Sequence, residues 1–94
     1  MVLVTMEAHV LQEQWDALAR AFTHAMEHRP DGVLLSLLTH ETHDPTLWRI
    51  MTAWESREAL DAYYQSNTTL LGAYIFHVIG VVPVASLSEV VRYA

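Results

Sequence analysis

The sequence predicts an α+β fold, one antiparallel sheet carrying helices, on three observations. Apolar spacing switches between extended and helical periods in the order strand, helix, strand, strand, helix, strand. Turn signals fall at the switches: "RPDG" at 29–32, "ETHDPT" at 41–46, and Gly80 with Pro83. The third strand is apolar on both sides, so both faces of the sheet are expected to be covered.

Residues 2–9 ("VLVTMEAH") read as the first strand. From Gln12 the period becomes helical: Trp15, Leu18, Ala19, Phe22, Ala25 and Met26 recur on one face, with Asp16, Arg20 and Glu27 on others. Pro30 disfavours helical geometry at Arg29, and Asp31-Gly32 suits a turn, so the helix ends there. "VLLSLLTH" (33–40) and "LWRIMTAW" (47–54) are apolar runs on either side of a short loop and predict a hairpin.

Ser56 is a good N-cap, and Glu58 puts a negative charge in the first turn of the helix that follows. Its expected buried stripe is Ala59, Leu60, Tyr63 and Tyr64. Asn67 and Thr68 interrupt this helix; a third helical stretch then sets Leu70, Leu71, Tyr74, Ile75 and Val78 on one side. Gly80 and Pro83 end it, and "ASLSEVVRY" (85–93) predicts the last strand. The order β-α-β-β-α-β, with its second helical region broken in two, is the split βαβ, ferredoxin-like arrangement.

Trp48, Ile50 and Trp54 share one face of the third strand, and Leu47, Met51 and Ala53 the other. The chain's own helices account for one face. A second copy is expected on the other, giving a homodimer with its sheets face to face. A chain of 94 residues makes one domain, residues 1–94, and a hydrophobic content of 52% is more than so small a core needs.

Composition removes several function classes. The net charge is −6 with only five Lys and Arg, which argues against nucleic acid and against an anionic membrane surface. Without cysteine there is no disulfide, thiolate metal site or cysteine nucleophile. The opening "MVLV" has no basic flank, so a signal peptide is not expected and the protein is read as cytoplasmic. The longest apolar run, Leu70 to Ala85, holds His77 and Pro83 and is too short to span a bilayer. Gly-rich phosphate loops, dinucleotide fingerprints and the Gly-x-Ser-x-Gly elbow are missing, which removes nucleotide enzymes and that class of hydrolase.

Three features resemble the antibiotic biosynthesis monooxygenase domain, a family of small dimeric ferredoxin-like α/β barrels. They are the early strand and amphipathic helix ending in "PDGV", the loop holding "HDP", and "WESREALDAYYQS" (54–66). Together they span about residues 2–78. The resemblance implies a site between sheet and helices. Within the family some members oxygenate anthrone-type or quinol-type aromatics with no metal or flavin, and others degrade haem. Tyr63 stands where the family usually has His, or Trp in the haem-degrading branch. That branch also places a histidine where this sequence has Ala73, and His77 comes one helical turn later.

Tyr63 lies mid-stripe and should face the sheet, as a core tyrosine or as a pocket wall. Trp54, at a strand end beside a helix start, would shape that pocket, with Tyr74 as a further binding group. His77 is either a satisfied core imidazole or a base able to take a proton from a phenol or carbon acid. Arg49 could stabilise the resulting anion or simply pair with Glu7, Glu89 or a partner carboxylate. His9 closes the first strand with its direction open. His40, His43 and Asp44 in the loop, and His24 with His28 at i, i+4, invite a metal reading. A solvated loop and a helix C-terminus explain both without one, and no metal or other cofactor is expected.

The leading expectation is a dimeric, cofactor-independent monooxygenase acting on an electron-rich aromatic, with Tyr63 and His77 catalytic and Trp54, Tyr74, Arg49 and His9 binding substrate. The alternative from another class is a non-catalytic dimer that binds a small apolar molecule or serves in assembly. Haem degradation comes third.

Overall fold

A computed structural model describes residues 1–67 and 71–94. The elements are β1 (Val2–His9), a 3-10 turn (Gln12–Gln14), α1 (Trp15–Met26), β2 (Val33–His40), β3 (Leu47–Trp54), α2 (Arg57–Ser66), α3 (Leu71–Val78) and β4 (Val84–Glu89). The sheet order is β2-β3-β1-β4, and every neighbouring pair is antiparallel. β1 and β2 therefore run parallel with β3 between them, the arrangement the sequence predicts.

Register explains which side chains meet the helices. β1 pairs Val2, Val4 and Met6 with Trp54, Thr52 and Ile50 of β3, and all six are buried. Leu18 of α1, Leu60 of α2, and Leu71, Ile75 and Phe76 of α3 close on this face to form the core. Thr52 is the one buried polar side chain among the described residues, and its hydroxyl lies 3.0 Å from that of Ser36 on β2. A buried hydroxyl needs such a partner, and here the pair also links two strands.

Local signals act as the sequence implies at both ends of the hairpin. The Ser56 hydroxyl accepts a hydrogen bond from the backbone N–H of Ala59 at 3.1 Å, capping α2. At the β2–β3 loop, Asp44 Oδ1 accepts from the hydroxyl of Thr46 at 2.6 Å and from its backbone N–H at 3.2 Å. That hydroxyl contact, foremost, holds the Asp44 carboxyl below its ordinary range. Gly32 turns the chain from α1 into β2 with φ of 91°, and its carbonyl accepts from Glu55 N–H at 2.7 Å.

Three expectations differ from the structure. Tyr64 is exposed, because beyond Leu60 it overhangs the groove beside β4, which is itself exposed along its whole length. On α3 the buried side is Leu71, Gly72, Ile75 and Phe76, leaving Tyr74 and Val78 exposed. A Cβ at Gly72 would come within 2.8 Å of Met6, so the missing side chain is what lets α3 approach β1. The last strand runs Val84–Glu89, shorter than 85–93, and its pairing with β1 ends where β1 begins. Thr68 and Leu70, expected at the helix break and on the third helix, lie outside the described residues.

Among the described residues, no helix covers the opposite face of the sheet. Leu3, Leu35, Leu37, Leu47, Met51 and Ala53 point there, half-buried or exposed. The register slips by one residue between Val33 and Leu35, which brings Leu35 and Leu37 onto this face beside Ala53 and Met51.

Candidate functional site

The helices meet at one end of the molecule around an open cleft of about 550 Å³. Its described lining comes from the helices and their ends, not from between sheet and helices as the resemblance implies. The last turn of α1 contributes His24 and Ala25, and His28 follows just past its end. α2 contributes Tyr63, and Asn67 stands at its C-cap; α3 contributes Leu71 and Tyr74. Residues four apart share one side of a helix, so His24 and His28 present their imidazoles together, ring centroids 6.3 Å apart. Asn67 Nδ2 donates to the carbonyl oxygen of Tyr63 at 2.9 Å and closes the end of α2.

Tyr63 is set by what lies beneath it. The buried indole of Trp54 sits with its ring centroid 5.3 Å from the phenol ring, tilted by 47°. This is a favourable geometry for an aromatic pair, and it orients the phenol at the base of the cleft. Burial pushes the Tyr63 phenol above its ordinary pKa, which keeps it a neutral hydrogen-bond donor.

The expected site residues separate into two groups. Tyr63 and Tyr74 line the cleft together, and Trp54 supports Tyr63 without itself reaching the wall. His77 is exposed and is not part of that wall, one turn further along α3 than Tyr74. Arg49 points to the helix-free face, where Nε donates to Glu7 at 2.8 Å and Nη1 to Glu41 at 2.7 Å. Those two contacts, Glu41 foremost, raise its pKa further above the guanidinium value. His9 is exposed at the end of β1, with Nδ1 3.1 Å from the Thr46 hydroxyl and 3.7 Å from Asp44. Neither Arg49 nor His9 reaches the cleft, because both sit at odd positions on strands whose even positions face the helices.

The structure also separates the loop histidines. His40 packs on Trp48 and Trp15, ring centroids 4.8 and 5.7 Å away, while His43 is exposed. Trp15 and Trp48 themselves lie 5.7 Å apart, and Trp15 donates its indole N–H to the carbonyl of Val10. Among the described residues, no group of three or more His, Cys, Asp or Glu side chains is placed to hold a metal. No helix among them is long and apolar enough to cross a membrane.

His24, His28 and Asn67 are cleft residues that sequence reasoning did not assign to a site. Their signal was the i, i+4 histidine spacing beside a Pro-Asp-Gly stop. What stands opposite them is set by the packing of α3, which no local pattern reports.

The family model for "Antibiotic biosynthesis monooxygenase" matches residues 1–70, taking in β1 through α2. The chain belongs to the antibiotic biosynthesis monooxygenase family. No curated protein matches the sequence significantly. Solved structures extend the fold likeness over α3 and β4. A candidate antibiotic biosynthesis monooxygenase from Deinococcus radiodurans superposes with a TM-score of 0.76 at 15% identity, covering 100% of this chain and 96% of that one. A second candidate of that name, from Nitrosomonas europaea, gives 0.73 at 15% identity, with 98% and 100% covered. A conserved protein from Methanosarcina mazei Go1 gives 0.73 at 13% identity, with 94% and 90% covered. At these identities the likeness is one of fold, and the family's helix-over-sheet layout is the common element.

Proposed function

We propose that this member of the antibiotic biosynthesis monooxygenase family is a cofactor-independent oxygenase of electron-rich aromatics, of the anthrone or quinol type, with its site in the cleft at Tyr63. The observation that carries this reading is the cleft itself. Its volume suits a ring system of two or three fused rings, and its walls are aromatic, imidazole and amide groups. Tyr63, neutral and backed by Trp54, would donate to a substrate oxygen that gains charge.

The chemistry balances without a redox partner. An anthrone methylene loses two C–H bonds; one atom of dioxygen becomes the new carbonyl and the other leaves as water. The substrate supplies all four electrons. A base must start the reaction by removing a proton, and it must belong to the cleft. His77 projects outside it.

We also read the active form as a homodimer joined through the helix-free sheet face. The leucines and Met51 on that face support this reading, since so much half-exposed apolar surface in one patch marks an interface.

A second reading is a non-catalytic dimeric binding module for a small apolar molecule. The placement of His77 and Arg49 away from the cleft favours it, because these were the ionisable groups the sequence offered for catalysis. Oxygen uptake by the purified protein with a panel of anthrones and quinols decides between the two. Uptake without added cofactor that falls at least tenfold in Tyr63→Phe supports the oxygenase. No uptake across the panel, with ligand binding retained, favours the binding module.

A further inference from the structure

The cleft differs from the other described clefts in having no Asp, Glu, Lys or Arg in its described lining. The chain carries eleven Asp and Glu, and other described clefts each hold at least one: Glu27, Asp61, Glu58 with Glu89, and Asp31 with Glu55. Among the described residues, no carboxylate lines the cleft of His24, His28 and Tyr74; Asp31 and Glu55 line the groove that shares Tyr63 and Asn67 with it. The cleft's described lining includes side chains able to donate hydrogen bonds: two imidazoles, the phenols of Tyr63 and Tyr74, and the Asn67 amide, which already donates to the Tyr63 carbonyl.

We propose that the cleft binds acidic phenols as their phenolates, with His24 and His28 taking up the phenolic proton and holding the oxygen. This deepens the oxygenase reading and rests on the cleft assigned there, since it names the substrate class and the base. On binding, the phenol O–H bond breaks and its proton forms an N–H bond on one imidazole. The phenolate stays beside that imidazolium and accepts from the second ring. Imidazole suits this exchange because it accepts and donates protons near neutral pH. Ring centroids 6.3 Å apart leave room for one oxygen within hydrogen-bond distance of a nitrogen of each ring. The opposite wall, Tyr63 and Leu71, takes the ring of the ligand.

His24 also lines a neighbouring groove that holds Arg20 and Glu27. Glu27 Oε2 lies 3.8 Å from His24 Nδ1 and, with Arg20, belongs to the neighbouring groove on the outer side of α1. Across the cleft the titratable groups are Tyr63 and Tyr74.

The test uses 4-nitrophenol, whose phenolate is coloured, with 4-nitroanisole as the isostere that has no proton to give. Titrations are run without oxygen, so the result does not depend on turnover. The expected result is that the protein binds nitrophenol and raises its phenolate absorbance at fixed pH, with nitroanisole bound at least about tenfold more weakly, the scale of one charge-assisted hydrogen bond. In the double variant His24→Gln, His28→Gln the phenolate signal is lost and nitrophenol affinity falls to that of nitroanisole. Both histidines are exposed, so the variant keeps its fold, which circular dichroism and thermal unfolding verify. Equal binding of phenol and anisole, no binding of the phenol, or a full phenolate signal in the double variant overturns the proposal. Phenolate binding without oxygen uptake on anthrones removes the oxygenase reading and leaves this one standing. Uptake that is indifferent to both histidines does the reverse.

Discussion

Trp54 supports Tyr63 from beneath, ring centroids 5.3 Å apart, and this contact joins the last residue of a strand to the middle of a helix. The segment 54–66 places the two aromatics so that burying the indole aims the phenol at the cleft. Trp54→Leu should therefore lose ligand affinity as well as stability. The stability loss is expected to be about 3 kcal/mol, near the low end for truncating a buried aromatic, since part of the volume is retained. Thermal unfolding combined with nitrophenol titration checks both effects.

Burial raises the Tyr63 phenol, and the sign of the consequence is fixed. The folded pKa lies above the unfolded value, so the neutral form is favoured by folding. This contribution is complete below the unfolded pKa and is lost as pH rises through the folded one. One phenol should ionise above the ordinary tyrosine range in an alkaline absorbance titration, and that step should vanish in Tyr63→Phe. If all the phenols of the wild type ionise in the ordinary range, Tyr63 is more hydrated than its position implies.

Gly32 has a positive φ, and a Cβ there would lie 2.7 Å from that of Ala59 and 3.6 Å from the Trp54 ring. Gly32→Ala should cost about 1–2 kcal/mol for the left-handed backbone alone, with more from the contact on Ala59. Denaturant melts provide the measurement. A change within about 0.5 kcal/mol, the range of a featureless surface site, would show that the turn relaxes freely.

Most of this fold was legible because the strands differ sharply from their neighbours in period, and because Ser56 and Pro30-Asp31-Gly32 punctuate the chain at the right places. The faces of α3 were not. Its sequence, Leu-Gly-Ala-Tyr-Ile-Phe-His-Val, is apolar on nearly every side, so spacing cannot select one. The packed side is decided by Gly72 against Met6, a contact made by the absence of a side chain. The same limit hid the cleft. Tyr63 could be read as facing the sheet, but His24 and His28 gain a ligand-sized space only through where α3 sets Leu71 and Tyr74.

The Ser56 cap gives a smaller, cleaner test of local structure. Ser56→Ala removes the acceptor for Ala59 N–H at the start of α2 and should cost about 1 kcal/mol. Oxygen uptake or ligand binding should be unchanged below the melting transition, because the cap is at the opposite end of α2 from Asn67. A larger fall in binding than in stability would mean that the helix start moves Tyr63.

Arg49 offers the sharpest test of the proposed dimer. Its guanidinium joins Glu7 on β1 to Glu41 at the end of the hairpin, on the face where Leu35, Leu37 and Met51 also point. In one chain this triad is partly open to water, where such pairs contribute little. Covered by a second sheet it would be desolvated, and each carboxylate would depend on its guanidinium hydrogen bond. Arg49→Lys keeps the charge but replaces a planar fork with one ammonium, which is poorly placed to serve both carboxylates. It should weaken the dimer. Met51→Glu should weaken it by about a hundredfold or more in Kd, since an uncompensated charge would be buried among leucines. Sedimentation over a micromolar concentration series, with circular dichroism to verify the fold, reads both. A wild-type protein that sediments as a monomer throughout would remove the sheet-face dimer, and the leucines of that face would then need another partner.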